Sequence, residues 1–492
     1  MLAALFIVFV VFVCREAPAQ NEAVNEHINQ TLSWEEQVKD EPVIFLTADK
    51  TLTLNDDWSY TTTEHRKFKI NKEEAKALGE LNFYYNKSRE KIKVIKACTI
   101  TPDGKKHQYT KIQDLSVYEF EPMYSDIRMK IVSLPKVSVG SIIEYEVTTV
   151  AKQGPIKHEF LQETQFDIKT PSKEMNVVYD FPKQLAIQYK EFNLKYKPTI
   201  TQSDKRITYA WHCVNLYEKR PAVPEEYVPA PSPESIENAI QFSSMRDWPS
   251  VSDWYLSLIN KNSKASSAIE KTAQELTQDY SAVRDKARAI KEHIDKNFRY
   301  VSMLFGENTY EPHPTTEVFK NRYGDCKDLS LLCMAMLKAA GVNSHMALFN
   351  DELSISDPQH DLPIPFVFNH ALLIVEDKQE GDFYFDPLLH GYDIGEYPLS
   401  YQAAYTFIIT EDGGRFGRCA VFDEKRAYTK TEVAYVIQGD GSAEITLNAV
   451  SNLDSSISVR SSLKAMTPDE KNEVLENMDA LYASGGEVLE RR

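Results

Sequence analysis

At 492 residues the chain is long enough for two to four domains at roughly 150 residues each. Its 42% hydrophobic and 11% aromatic content supplies ordinary globular cores. A net charge of −17, without a long Lys/Arg run, argues against a nucleic-acid surface, because binding phosphate takes clustered cations.

Leu2 to Cys14 is an apolar run too short to span a bilayer comfortably, and Ala17-Pro18-Ala19-Gln20 behind it suits signal-peptidase cleavage. Residues 1–19 therefore read as a signal peptide and predict an exported protein, although no basic stretch precedes Leu2 and the start is expected to be incomplete. Cleavage removes Cys14 and leaves Cys98, Cys213, Cys326, Cys333 and Cys419, an odd set with at least one unpaired thiol. Cys98 and Cys213 are the candidates for a disulfide.

Residues 20–54 read as a polar lead-in. From 55 to 215 short alternating segments with turns predict an antiparallel β-sandwich, including strands over Lys91–Thr101 and within Leu134–Val150. Pro221, Pro224, Pro229, Pro231 and Pro233 mark a linker over 216–262. Helices over Ser266–Thr277 and Ser281–Asn297, the latter capped by Ser281, open an α+β domain over 263–418. Strands follow at His345–Asn350, His370–Glu376 and Phe383–Asp386. Residues 419–492 are β-rich, with strands at Thr431–Gln438 and Ala443–Ala449, a helix starting at Thr467-Pro468, and an expected stop inside a domain.

The chemistry is concentrated at Arg322-Tyr323-Gly324-Asp325-Cys326-Lys327-Asp328. Apolar residues at 329, 332, 333, 336, 337 and 340 draw one helix stripe, ended by Gly341. Cys326 thus sits at a helix N-terminus, where unpaired N–H groups and the macrodipole favour thiolate. Asp325 and Asp328 read as caps for that helix, and Cys333 as a core residue. A cysteine nucleophile needs a base, and the base needs an orienting group. Among eleven histidines, His370 opens a strand apolar on both faces, and the next strand ends in Asp386. If 377–381 is a hairpin turn, His370 and Asp386 share a face within about one pairing step. His360 is a competing base, read instead as a surface or rim residue. Zinc-ligand spacing and glycine-rich phosphate loops are absent, so no cofactor or metal is expected.

Gly-Asp-Cys-Lys-Asp at 324–328, Asn-His-Ala at 369–371 and Phe-Asp-Pro at 385–387 resemble the Cys, His and Asp motifs of the transglutaminase-like superfamily, with its papain-like core. The resemblance spans about 265–415. The preceding β region is similar to a module of unknown function found before such cores in exported bacterial proteins. The resemblance implies Cys326 as nucleophile, His370 as general base and acid, and Asp386 as orienting group. It also implies an upstream aromatic or glutamine donor for the oxyanion, for which Tyr300 is the substitute here. A protein or peptide substrate follows, cleaved or transferred through a thioester, with hydrolysis favoured over cross-linking of glutamine to amines. A periplasmic or cell-envelope location is expected. The contrasting reading is a non-catalytic envelope module that binds through its β domains.

Overall fold

The computed structural model describes residues 33–117, 127–154, 156–218, 238–301, 310–350, 358–422, 428–439 and 443–451, with a few more between 456 and 471. The proposed signal peptide and the whole proline cluster lie outside them. Among the described residues no helix is long and apolar enough to cross a membrane. The chain forms two compact units, one mostly from residues up to Asp247 and one mostly from Trp248 onward.

The first unit is built on an eight-stranded sheet. Its strands run, in spatial order, 199–202, 206–216, 172–182, 43–54, 60–70, 142–151, 90–100 and 106–108. Val43–Leu54, expected to be lead-in, is a central strand of that sheet. It alternates apolar and polar residues, with Ala48, Leu52 and Leu54 buried. It also pairs parallel with Ser172–Pro182, so the sheet is mixed rather than wholly antiparallel. Parallel pairing joins strands remote in sequence, which a local turn pattern cannot reveal. Two three-stranded sheets supply further core. Ile240 and Phe242 of one pack against Tyr179, Phe181 and Trp211, and Leu81 and Val132 of the other pack against Phe68 and Ile143. Trp211 and Phe242 are essentially fully buried, each worth about 1.5–3 kcal/mol of transfer free energy.

The candidate Cys98–Cys213 disulfide is not formed, and all five described cysteines are free. Cys98 lies on the 90–100 strand and Cys213 on the 206–216 strand, five strand spacings apart. At ~4.8 Å per spacing that is roughly 24 Å, far beyond disulfide reach.

The second unit starts inside the region expected to be linker: Trp248–Asn262 is a helix. Ser267–Thr277 follows as the sequence predicts, and Ser266 caps it, its side chain accepting the Ile269 N–H. The next helix begins two residues later than expected, at Val283, and Ala282 replaces Ser281 at its start without a side-chain cap. A five-stranded antiparallel sheet has the order 383–385, 370–375, 344–349, 405–408, 415–418. The Cys326–Ala339 helix packs on its 344–349 and 370–375 strands and against the helices at 267–277, 283–297 and 315–321. This enclosure buries Lys327, Asp328, Ser330 and Leu331 as well as the apolar stripe, so the helix is central rather than one-sided. Further along, Thr429–Ile437 and Ala443–Ser451 form a hairpin. At the expected cap, the Thr467 hydroxyl and the Glu470 carboxylate bond reciprocally to each other's backbone N–H.

Candidate active site

The helix that carries Cys326 is started by chemistry legible in its first residues. Asp325, in extended backbone, is the N-cap and accepts the Asp328 N–H at 3.2 Å, while the Asp328 carboxylate accepts the Asp325 N–H at 3.3 Å. Cys326 is therefore the first helical residue, with its N–H among the donors that the helix leaves unpaired. Gly341 at φ +75° ends the helix, a conformation that glycine adopts without a Cβ penalty.

The strand His370–Val375 is buried from Ala371 onward because both faces are covered there, and His370 itself is partly buried. Ser330 Oγ donates to the Ala371 carbonyl at 3.1 Å, tying the helix to this strand. Leu372 and Ile374 join a cluster with Phe349, Tyr397 and Tyr401, and by alternation Ala371, Leu373 and Val375 turn the other way. The connection to Phe383–Phe385 is the expected hairpin, closed by Gly381 N–H to Asp377 O at 2.8 Å, with Gly381 at φ +89°. Leu373 pairs with Phe385, which puts Asp386 one residue beyond the ladder and diagonal to His370.

The three residues singled out in the sequence converge. His370 Nε2 donates to Asp386 Oδ2 at 2.8 Å, and Cys326 is near enough to the His370 ring to favour its charged form. Because Asp386 holds Nε2, the remaining ring nitrogen, Nδ1, serves the thiol. Burial works against charge on His370, but the adjoining Asp386 carboxylate outweighs it and holds the imidazolium well above the usual histidine range. Burial likewise acts to raise Asp386, and His370 together with hydrogen bonding keeps it below the usual carboxylate range. The carboxylate is fully engaged: Oδ2 also accepts from Tyr401 Oη at 2.9 Å, and Oδ1 accepts the Leu388 N–H at 2.8 Å. The Phe349 ring packs edge-on against His370 at 5.2 Å and against Tyr401 at 4.6 Å.

Cys326 is the one described cysteine that is partly exposed. Burial pushes the other thiols up, Cys213 to about 11 and Cys419 to about 12, with Cys98 and Cys333 shifted the same way. A high thiol pKa suppresses the nucleophilic form, so these four are poor candidates for chemistry.

Tyr300 lies in a short strand parallel to Tyr323–Gly324, opposite Gly324 and so close along the backbone to Cys326, with its residue 43% exposed. Sequence reasoning passed over a second tyrosine. Tyr255, only 1% exposed, is held well above the usual phenol range by burial and by the charges of Cys326, Asp325 and Asp328. It passed over Tyr401 and His313 as well. No local signal identifies Tyr255 or Tyr401, since both come from elements remote in sequence from Cys326. The His360 side chain is outside the described set. Among the described residues no cluster of three His, Cys, Asp or Glu side chains is placed to hold a metal ion.

Residues 270–351, which include Cys326, match the family model of the transglutaminase-like superfamily. The chain carries a transglutaminase-like core. Residues 56–219 match DUF3857, a domain of unknown function with solved structures. A crystal structure from Parabacteroides distasonis, described as a putative protease, superposes with a TM-score of 0.64 at 16% identity, covering 81% of this chain and 78% of that one. That likeness shows a shared multidomain fold. A putative cysteine protease from Cytophaga hutchinsonii is 9% identical, with 83% and 92% of the two chains covered and a TM-score of 0.20. An M1 zinc metallopeptidase from Deinococcus radiodurans is 10% identical over 35% and 39%, at 0.21. No curated protein matches the chain. The superfamily match ends before His370 and Asp386, so the place of those two in the transglutaminase-like core rests on the hydrogen bonds above.

Proposed function

We propose that the core is a cysteine-dependent acyl-transfer enzyme acting on peptide or side-chain amides. The observation that carries this reading is the convergence of Cys326, at a helix N-terminus, on the hydrogen-bonded His370–Asp386 pair. Cys326 thiolate attacks the amide carbon, and the carbonyl electrons move onto oxygen. When the tetrahedral intermediate collapses, the C–N bond breaks and imidazolium His370 gives its proton to the departing amine, leaving a thioester. Water or an amine then attacks the thioester while His370 takes its proton, and the thiolate departs. Asp386 keeps the imidazole in the productive tautomer throughout.

The Cys326 N–H is one donor for the oxyanion, by virtue of its helix position. Tyr300 is the proposed second donor, and Tyr255 competes for that role because its charge environment includes Cys326. Comparing Tyr300→Phe with Tyr255→Phe assigns it, since the true donor loses kcat with KM little changed.

Hydrolysis is the favoured outcome, and the Parabacteroides distasonis relative's description as a putative protease supports it. Incubation with a peptide library, with and without a primary amine, tests this under reducing conditions. New peptide termini indicate hydrolysis, and amine incorporation indicates transamidation. Neither product, with Cys326 still alkylated by iodoacetamide, overturns the enzyme reading and favours a binding module. Export belongs to the same proposal, on the strength of residues 1–19, and an N-terminus at Gln20 in the native protein is its test.

A further inference from the structure

Behind the nucleophile lies a second histidine–carboxylate pair that the reaction above does not use. Asp328 is wholly buried, and His313 retains little exposure. The His313 backbone N–H donates to Asp328 Oδ1 at 2.7 Å, and ring Nδ1 lies 3.2 and 3.1 Å from Oδ1 and Oδ2. The same Oδ2 accepts the N–H of Asp325, the cap before Cys326. Gly324 is pressed onto this carboxylate, for a Cβ there would meet the Asp328 Cβ at 2.7 Å. His313 is itself fixed. Pro312 and Pro314 flank it and restrict the backbone, and Thr315 Oγ1 anchors the next turn on the Lys264 carbonyl at 2.8 Å.

The charged groups around the pair are Asp325, the cap, and Lys327 in the first turn, which form their own buried ion pair. The neutral phenol of Tyr255 from the 248–262 helix is the further titratable group. Lys327 therefore neutralises Asp325, and His313 is the cationic partner of Asp328. Burial opposes a charge on His313, but Asp328 overcomes it and holds the ring above the usual histidine range.

We propose that His313 is a positioning residue: with Asp328 it holds the Gly324–Cys326 backbone so that the Cys326 N–H points at the developing oxyanion. This rests on the acyl-transfer reading above. Its consequence is selective, because amide turnover needs that N–H whereas alkylation of the thiolate does not.

The test compares His313→Asn and His313→Gln in the full chain. Asparagine puts an amide N–H close to the position of Nδ1, whereas glutamine fills the volume but carries its donor one bond further out. His313→Gln should lower kcat about 100-fold, the scale of a small misplacement of reacting groups. Its KM and its iodoacetamide rate at Cys326 should stay within about threefold of the parent. His313→Asn should recover most of the lost kcat. Equal kcat in both variants and the parent overturns the proposal, as does a parallel fall of alkylation and kcat. Failure of both variants to fold does so too, by making His313 structural only. A parent chain that is alkylated but releases no product overturns the acyl-transfer reading and this proposal with it. An active parent with an unaffected glutamine variant overturns this proposal alone.

Discussion

Replacing Asp386 by asparagine probes the centre of the site at nearly constant volume. The carboxylate accepts three hydrogen bonds, from His370 at 2.8 Å, Tyr401 at 2.9 Å and Leu388 N–H at 2.8 Å. An asparagine offers one accepting atom and one donating group. If its oxygen faces His370 and Tyr401, its NH2 confronts the Leu388 N–H. If it flips, the NH2 confronts His370 and forces the wrong tautomer. At least one charge-assisted bond is lost in either case, at about 1.5–3 kcal/mol. Expressed on the His370 arm, that is a roughly 10- to 150-fold loss of kcat at 1.36 kcal/mol per decade. The pH dependence moves as well. His370 is raised because the charge and hydrogen bond of Asp386, with a further contribution from Cys326, together overcome burial. Without the carboxylate charge burial weighs more heavily, and the imidazolium loses its proton at lower pH. The alkaline limb of kcat/KM should therefore shift to lower pH. The assay is amide hydrolysis across pH, with a circular dichroism spectrum to establish folding. A folded variant that keeps more than half the parent kcat, or whose alkaline limb is unmoved or moves up, refutes the reasoning.

Cys326→Ala should abolish product release while leaving unfolding free energy within about 1 kcal/mol, measured by urea titration. Tyr401→Phe keeps the ring contacts with Phe349 and Tyr397 but removes one donor to buried Asp386, costing about 1.5–3 kcal/mol. Asp386 is a depressed carboxylate, so its contribution is present above the ordinary aspartate range and lost as pH falls through the lowered value. Removing the Tyr401 donor raises that value, and acid unfolding of the variant should begin at higher pH than in the parent. Trp211→Ala should destabilise the first unit by about 3–5 kcal/mol, read as an earlier melting transition, because the ring is 1% exposed amid Tyr179, Tyr209 and Phe242.

The candidate site was unusually legible where its signals are local. A cap, a helix stripe and a terminal glycine place Cys326 at a helix start from a dozen or so neighbouring residues. One short hairpin brings His370 and Asp386 together, so period-two alternation sufficed to put them on one face. What escaped was non-local. The strand at 43–54 reads as lead-in because its defining neighbour is the parallel strand at 172–182, and the Cys98–Cys213 pairing fails because the strand order separates two residues that share a sheet. Tyr401, His313 and Tyr255 carry no motif, and only packing makes them neighbours of the catalytic candidates.

By itself the amino-acid order determined which side chains can do chemistry and the local backbone that presents two of them, since caps, turns and alternation act over a few residues. Tertiary structure alone decided that a helix and a hairpin from separate stretches meet, and that the His370–Asp386 pairing raises the imidazole and lowers the carboxylate against the opposing effect of burial. Those effects depend on dielectric surroundings and on partners brought from far along the chain, which short-range preferences do not encode.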